Sequence, residues 1–295
     1  MEILTVENLS KNYGNIKALK NVSFSVPSGT VFGILGPNGS GKTTLLGIIM
    51  DVLKASGGGY RIFGAEPTNS QRKQIGTLLE TPNFYHYLTA VQNLKIAASI
   101  KGRGDDDIDR VLEIVNLTSR KNSRFNTYSL GMKQRLAIGA ALLGNPEVLV
   151  FDEPTNGLDP VGIAEIRELI KKLSKQGKTI IMASHLLDEV EKVCTHVAIL
   201  KQGTLITHGD VNEILVNEDM VEISAADLNH LQNTMMKMPG TSKVDTAEKV
   251  VRVFFPSGQA DLSAINQFCF NNGIILSHLQ LKKKSLESKF FELTN

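Results

Sequence analysis

At 295 residues the chain is long enough for two domains of about 100–200 residues each. Its 42% hydrophobic residues can bury a sizeable core, which excludes a disordered or fibrous protein. Thirty-two Lys and Arg against 30 Asp and Glu leave a formal charge of +2, too weak a bias to make nucleic acid or acidic lipid the main partner. No apolar run approaches the ~20 residues that span a bilayer. The amino terminus lacks the basic-then-apolar pattern of a signal peptide. Cys194 and Cys269 form neither a CxxC nor a metal-like spacing. The expectation is a soluble, intracellular, two-domain chain with both cysteines reduced.

Residues 2–9 and 18–26 read as strands of an edge sheet, followed by the turn Pro27-Ser28-Gly29. Residues 31–35 read as a buried strand that runs into a glycine-rich loop and then a helix from 41 to about 53. Gly57-Gly58-Gly59 reads as a break, with a strand resuming at 60–63. From 89 to about 144 the pattern is helical. Ile108, Val111, Leu112 and Val115 fall at helical spacing behind Asp105-Asp106-Asp107, whose charges suit a helix amino terminus. The runs 148–151, 179–183 and 197–200 are short, continuous and apolar, as parallel strands buried on both faces are. This alternation predicts an α/β domain over 1–216 with a helical subdomain at about 85–145.

Residues 217–295 read as a separate small α+β unit. Strand 220–224, helix 227–238, a strand near Lys243, strand 250–255, helix 262–272 and strand 274–281 follow in order, with a last helix from Ser285. The order βαββαβ is that of a ferredoxin-like domain. Its polar residues form no convergent constellation, and Lys282-Lys283-Lys284 reads as a solvated strand end rather than a membrane contact. A docking or dimerisation role is expected of it.

Gly36-Pro37-Asn38-Gly39-Ser40-Gly41-Lys42-Thr43 satisfies GxxxxGK[ST] and lies between a strand and a helix, as its mechanism requires. Such a loop turns successive backbone N–H groups inward around a triphosphate, with the helix amino terminus aimed at the anion. Lys42 then reaches the β and γ phosphates, the Thr43 hydroxyl serves Mg²⁺, and Thr44 adds a further contact. Val148-Leu149-Val150-Phe151-Asp152-Glu153 supplies the second half of a nucleotide site, delivering two carboxylates at the carboxyl end of a buried strand. Asp152 suits Mg²⁺ through its water shell, and Glu153 suits the general base that polarises the attacking water. Pro154 turns the chain out of the strand.

Tyr128-Ser129-Leu130-Gly131-Met132-Lys133-Gln134-Arg135 narrows the class. It resembles the signature motif of the ATP-binding-cassette (ABC) family, matching at Ser129, Gly131, Gln134 and Arg135 and departing at Leu130 and Met132. Asn156-Gly157-Leu158-Asp159 resembles the family's D-loop, Ser184-His185 its switch histidine, and Tyr13 the aromatic that stacks on adenine. The resemblance spans about residues 2–216. It implies a P-loop ATPase core with a mixed sheet and a helical subdomain, binding ATP and Mg²⁺. It also implies a homodimer in which the phosphate loop of one chain faces the signature of the other across ATP. With no membrane span of its own, the chain is expected to work at the cytoplasmic face of the membrane on a separate permease.

The stretch Ile75-Gly76-Thr77-Leu78-Leu79-Glu80-Thr81-Pro82-Asn83-Phe84-Tyr85 carries Glu80 where most relatives have glutamine. It resembles the bacterial subgroup that exports, or confers immunity to, bacitracin and lantibiotic-type peptides. So does the carboxy-terminal Ser285-Leu286-Glu287-Ser288-Lys289-Phe290-Phe291-Glu292-Leu293. By that resemblance Glu80 stands near Mg²⁺ and the γ phosphate, in a loop that also meets the permease. A soluble ABC protein acting on ribosomes or DNA is the rival expectation. It fits poorly with one cassette, no sustained heptads and a near-neutral charge.

Overall fold

The computed structural model describes residues 1–79, 82–215, 219–247, 249–256, 258–282, 286 and 290. The chain divides into two units, Met1–Gly209 and Asp210–Asn295.

In the first unit, β1 (Glu2–Tyr13) and β2 (Ile16–Pro27) pair antiparallel, and β4 (Gly57–Ile62) flanks β1 on its other side. The three glycines at 57–59 were expected to break the chain, yet they open β4. The reason lies in the partner strand. The register slips between Glu7 and Ser10, and a Cβ on Gly58 would stand 2.1 Å from the Asn8 carbonyl oxygen. Only glycine permits that approach.

The second sheet contains β3 (Val31–Leu35), β5 (Ile75–Leu78), β6 (Val148–Asp152), β7 (Thr179–Ser184), β8 (His196–Lys201) and β9 (Thr204–Asp210), in the order β5-β6-β7-β3-β8-β9. The pairs β5/β6, β6/β7, β7/β3 and β3/β8 are parallel. Every residue of β3, β6 and β7 is buried, which is why each reads as an unbroken apolar run. β9 follows β8 across Gln202-Gly203, both at positive φ. A two-residue link joins only antiparallel neighbours, so the sheet is mixed.

α1 (Lys42–Ile49) follows β3. Its Leu45, Leu46, Ile48 and Ile49 share one core with Leu4, Val6 and Phe24 of the first sheet and with Phe32, Val148 and Ile181 of the second. The helix stops at Ile49, short of the expected 53, because Asp51 takes a φ of 63° and the amides of Val52 and Leu53 turn back onto the Gly47 carbonyl. α2 (Asn69–Lys73) precedes β5. Between β5 and β6 lie α3 (Ala90–Lys101), α4 (Ile108–Ile114), two 3₁₀ turns and α5 (Leu130–Leu142), the expected helical insertion. α6 (Pro160–Lys175) and α7 (Leu187–Glu191) flank β7 in sequence.

The second unit opens with α8 (Val211–Leu215), then runs β10 (Asp219–Ala225), α9 (Leu228–Met235), β11 (Lys243–Ala247), β12 (Val250–Phe255), α10 (Leu262–Asn271) and β13 (Leu276–Lys282). The sheet order is β11-β12-β10-β13, with each neighbouring pair antiparallel. Alternate residues Val221, Ile223, Val251, Val253 and Phe255 turn inward onto Leu231, Met235, Ile265 and Cys269. Asp227 and Asp261 cap α9 and α10, each accepting two backbone N–H bonds. Lys283, Lys284 and the last helix expected from Ser285 fall outside the described residues, apart from Leu286 and Phe290.

Candidate active site

The glycine-rich loop leaves β3 at Gly36 and enters α1 at Lys42. The helix is capped by Gly41, which brings no side chain to the amino-terminal N–H groups, so the first turn keeps its donors for an anion. Lys42 is 5% exposed. Its Nζ donates to the carbonyl oxygens of Gly36 at 2.8 Å and Pro37 at 3.3 Å, and it stands 3.4 Å from Glu153 Oε1. Ser40 Oγ, within the loop, is buried without a hydrogen-bond partner.

β6 carries Asp152 to its carboxyl end, where the residue is buried, and Glu153 follows at a φ of 49°. A non-glycine residue rarely adopts that conformation, and it is held here by the Glu153 amide donating to the Ala183 carbonyl at 3.0 Å. Glu153 Oε2 lies 2.8 Å from Nδ1 of His185, which stands on the turn leaving β7. Since an ionised carboxylate only accepts, the Nδ1 proton of His185 is the donor. One carboxylate is therefore gripped from both sides, by Lys42 and by His185.

A cleft of about 220 Å³ opens at this point, lined by Asn38, Gly39, Lys42, Thr43, Thr44 and Glu153 among others. The structure thus brings together the phosphate loop and Glu153, with His185 behind the carboxylate. Thr43 and Asp152 offer a hydroxyl and a carboxylate, hard oxygens of the kind Mg²⁺ takes. Among the described residues no group of three or more His, Cys, Asp and Glu could hold a metal by itself.

Ser129, Gly131 and Asp159 lie elsewhere. They line a second cleft of about 460 Å³, to which no residue of the phosphate loop contributes. Ser129 caps α5, its Oγ accepting from the Met132 amide at 3.3 Å. Asp159 caps α6, accepting from the Gly162 amide at 2.8 Å. Tyr13 closes β1, is 45% exposed, and has Lys11 Nζ 5.0 Å from its ring centre. It does not line the phosphate cleft. Glu80 lies outside the described residues.

The sequence reasoning assigned nothing to Ala18, which lines the first cleft, or to Glu165, which lines the second beside Arg135. Glu165 stands six residues past the capping residue of α6, as Arg135 of the signature does in α5. Among the described residues no helix is long and apolar enough to cross a membrane.

The family model described as "ABC transporter" matches residues 19–156. The bacitracin transport ATP-binding protein BcrA of Bacillus licheniformis is 36% identical over 298 residues, covering 99% of this chain and 97% of the relative. The lantibiotic transport ATP-binding protein SrtF of Streptococcus pyogenes is 37% identical over 204 residues, covering 69% of this chain and 89% of the relative. Among solved structures, the dimeric structure of MJ0796, a bacterial ABC transporter cassette, is similar with a TM-score of 0.63 and 29% identity, covering 70% of this chain and 98% of that one. Fold, loop geometry and relatives converge: the chain belongs to the family of ABC transporter ATP-binding proteins.

Proposed function

We propose that this chain is the ATP-hydrolysing subunit of a bacterial ABC exporter, acting as an ATP-sandwich homodimer on a separate membrane permease from the cytoplasmic side. The observation that carries the reading is Glu153, strained at its backbone and held between Lys42 and His185 at the mouth of the loop cleft. The relatives named for bacitracin and lantibiotic transport support an antimicrobial peptide or a similar amphipathic compound as cargo. The strand order and antiparallel pairing of the second unit support a ferredoxin-like accessory domain.

In this reading Glu153 takes the proton of the attacking water, and His185 holds the carboxylate in place through Nδ1. Lys42 carries the charge for the β and γ phosphates, which compete for it with the Gly36 and Pro37 carbonyls. Thr43 and Asp152 would hold Mg²⁺, which when bound neutralises phosphate charge. The family resemblance assigns Glu80 a role toward the metal and the permease. Ser129, Gly131 and Asp159 serve the nucleotide held by the second chain, which explains why one chain keeps its two sets of residues in separate clefts. Tyr13 stacks on the adenine.

Glu153→Gln keeps shape and hydrogen bonding but removes the base. Turnover measured by phosphate release should fall by ~10²–10⁴-fold while ATP binding persists and the ATP-bound dimer becomes longer-lived. Near-normal hydrolysis in this variant would overturn the assignment.

A further inference from the structure

The second cleft has a floor that no role described so far explains. Arg135 of α5 and Glu165 of α6 both line it, with Nε and Oε2 3.6 Å apart. The guanidinium also reaches a third helix: Nη1 donates to the carbonyl oxygens of Val115 at 3.4 Å and Asn116 at 3.3 Å, at the carboxyl end of α4. Arg135 is 15% exposed at its side chain and Glu165 46%. One partly buried planar cation therefore joins α4 and α5 of the helical insertion to α6, which follows the core strand β6.

The register of the two helices gives this contact its meaning. Ser129 caps α5 and Asp159 caps α6, and the paired residues stand six positions along each helix, roughly 9 Å behind each cap at 1.5 Å per residue. A tie at that depth fixes how far apart the two amino termini lie. A half-exposed ion pair adds little to stability, so its worth lies in geometry.

We propose that Arg135 and Glu165 form a positioning brace for the signature half-site. It sets the spacing of Ser129 and Asp159, and thereby how well that face closes on nucleotide held by a second copy of the chain. The inference rests on the two-chain reading given above.

Glu165→Gln is the discriminating variant, because it removes the charge that draws the guanidinium to α6 while leaving the Arg135 contacts to α4 intact. With the full chain, four quantities decide: affinity for a fluorescent ATP analogue at low protein concentration, kcat, the protein concentration giving half-maximal specific activity, and the thermal midpoint. Glu165→Gln should leave analogue affinity within about twofold and the midpoint unchanged. It should lower kcat by about three- to tenfold and raise the half-maximal concentration. The double variant Arg135→Gln/Glu165→Gln should be no worse than Arg135→Gln alone, since both break one contact. Wild-type kcat and concentration dependence in Glu165→Gln would overturn the brace, as would losses that multiply in the double variant. Wild-type specific activity that does not change with protein concentration would instead remove the two-chain reading, and the brace with it.

Discussion

Gly39 and Gly41 stand two positions apart in the phosphate loop, both at positive φ, yet the structure gives them different duties. At Gly41 the φ is 106°, and a Cβ would meet the Ala18 carbonyl oxygen at 2.6 Å and Leu19 Cδ2 at 2.8 Å. The loop could keep its path only by displacing backbone of β2. At Gly39 the φ is 78° and nothing lies within 4 Å, because that side of the loop faces the cleft. An alanine at Gly39 meets only the left-handed backbone penalty, roughly 1–2 kcal/mol, but it occupies space meant for phosphate. Gly39→Ala should therefore fold with a modestly lowered thermal midpoint and lose most of its ATP affinity. Gly41→Ala should lose stability together with binding. Thermal melts with and without nucleotide separate the two cases. Equal melting points for both variants would show that the contact with Ala18 does not constrain the loop. The motif requires glycine at position 41 and leaves position 39 open, so it gives no sign that Gly39 also stands at positive φ or that the two face different surroundings. Nor does sequence reveal the strain at Glu153, since its φ depends on a hydrogen bond from its amide to the Ala183 carbonyl, in a strand about thirty residues later.

α5 is an element whose two ends are held by different chemistry. Its amino end is capped by Ser129. At its carboxyl end Lys101, from the last turn of α3, donates to the carbonyl oxygens of Ala140 at 2.6 Å and Ala141 at 3.2 Å. Asp107 accepts from the Gly144 amide just beyond, and Arg110 holds the Asp107 carboxyl below its usual range. Burial, helped by the charge of Arg103, lowers Lys101 from 10.5 to about 8. The unfolded chain therefore binds a proton that the folded chain has released at every pH between about 8 and 10.5. Stability should rise with pH across that window, by roughly 3 kcal/mol at most, and Lys101 should contribute no slope below it. Lys101→Met removes the titration. Comparing thermal midpoints from pH 7 to 10.5 should show a flatter rise in the variant than in the wild type. Parallel curves would mean that Lys101 stays protonated in the fold. Sequence legibility follows the same division between local and borrowed structure. β3, β6 and β7 could be read because burial on both faces leaves an unbroken apolar run. β9 could not: Thr204–Asp210 is half-exposed with no alternation, and only the Gln202-Gly203 turn returns it to the sheet. The glycines of β4 read as a break because their reason is Asn8, on another strand.

For the whole molecule, the separation of the two clefts makes the strongest claim. The motifs named the phosphate loop, Glu153, Ser129, Gly131 and Asp159 but not their placement, since Ser129 and Lys42 are close to their expected functions only if a second chain supplies one of them. On the proposed two-chain reading each chain brings a phosphate loop and a signature segment, so a symmetric dimer would hold two equivalent sites, each built from both chains. A chain with Lys42→Ala has no working phosphate loop but an intact Ser129, and a chain with Ser129→Arg has the reverse. Each variant dimer alone contains two damaged sites. Their mixed dimer contains one site with both halves intact and one with neither. An equal mixture forms mixed dimers half the time, so activity should recover to about a quarter of wild type if the sites act independently. Ser129→Arg also removes a helix cap worth about 1 kcal/mol, so its fold should be confirmed by its thermal midpoint before mixing. In the wild type, specific activity should rise with protein concentration until the dimer is fully formed. Strict proportionality between rate and concentration, together with no recovery on mixing, would mean that each chain hydrolyses ATP by itself. The second cleft would then need another occupant.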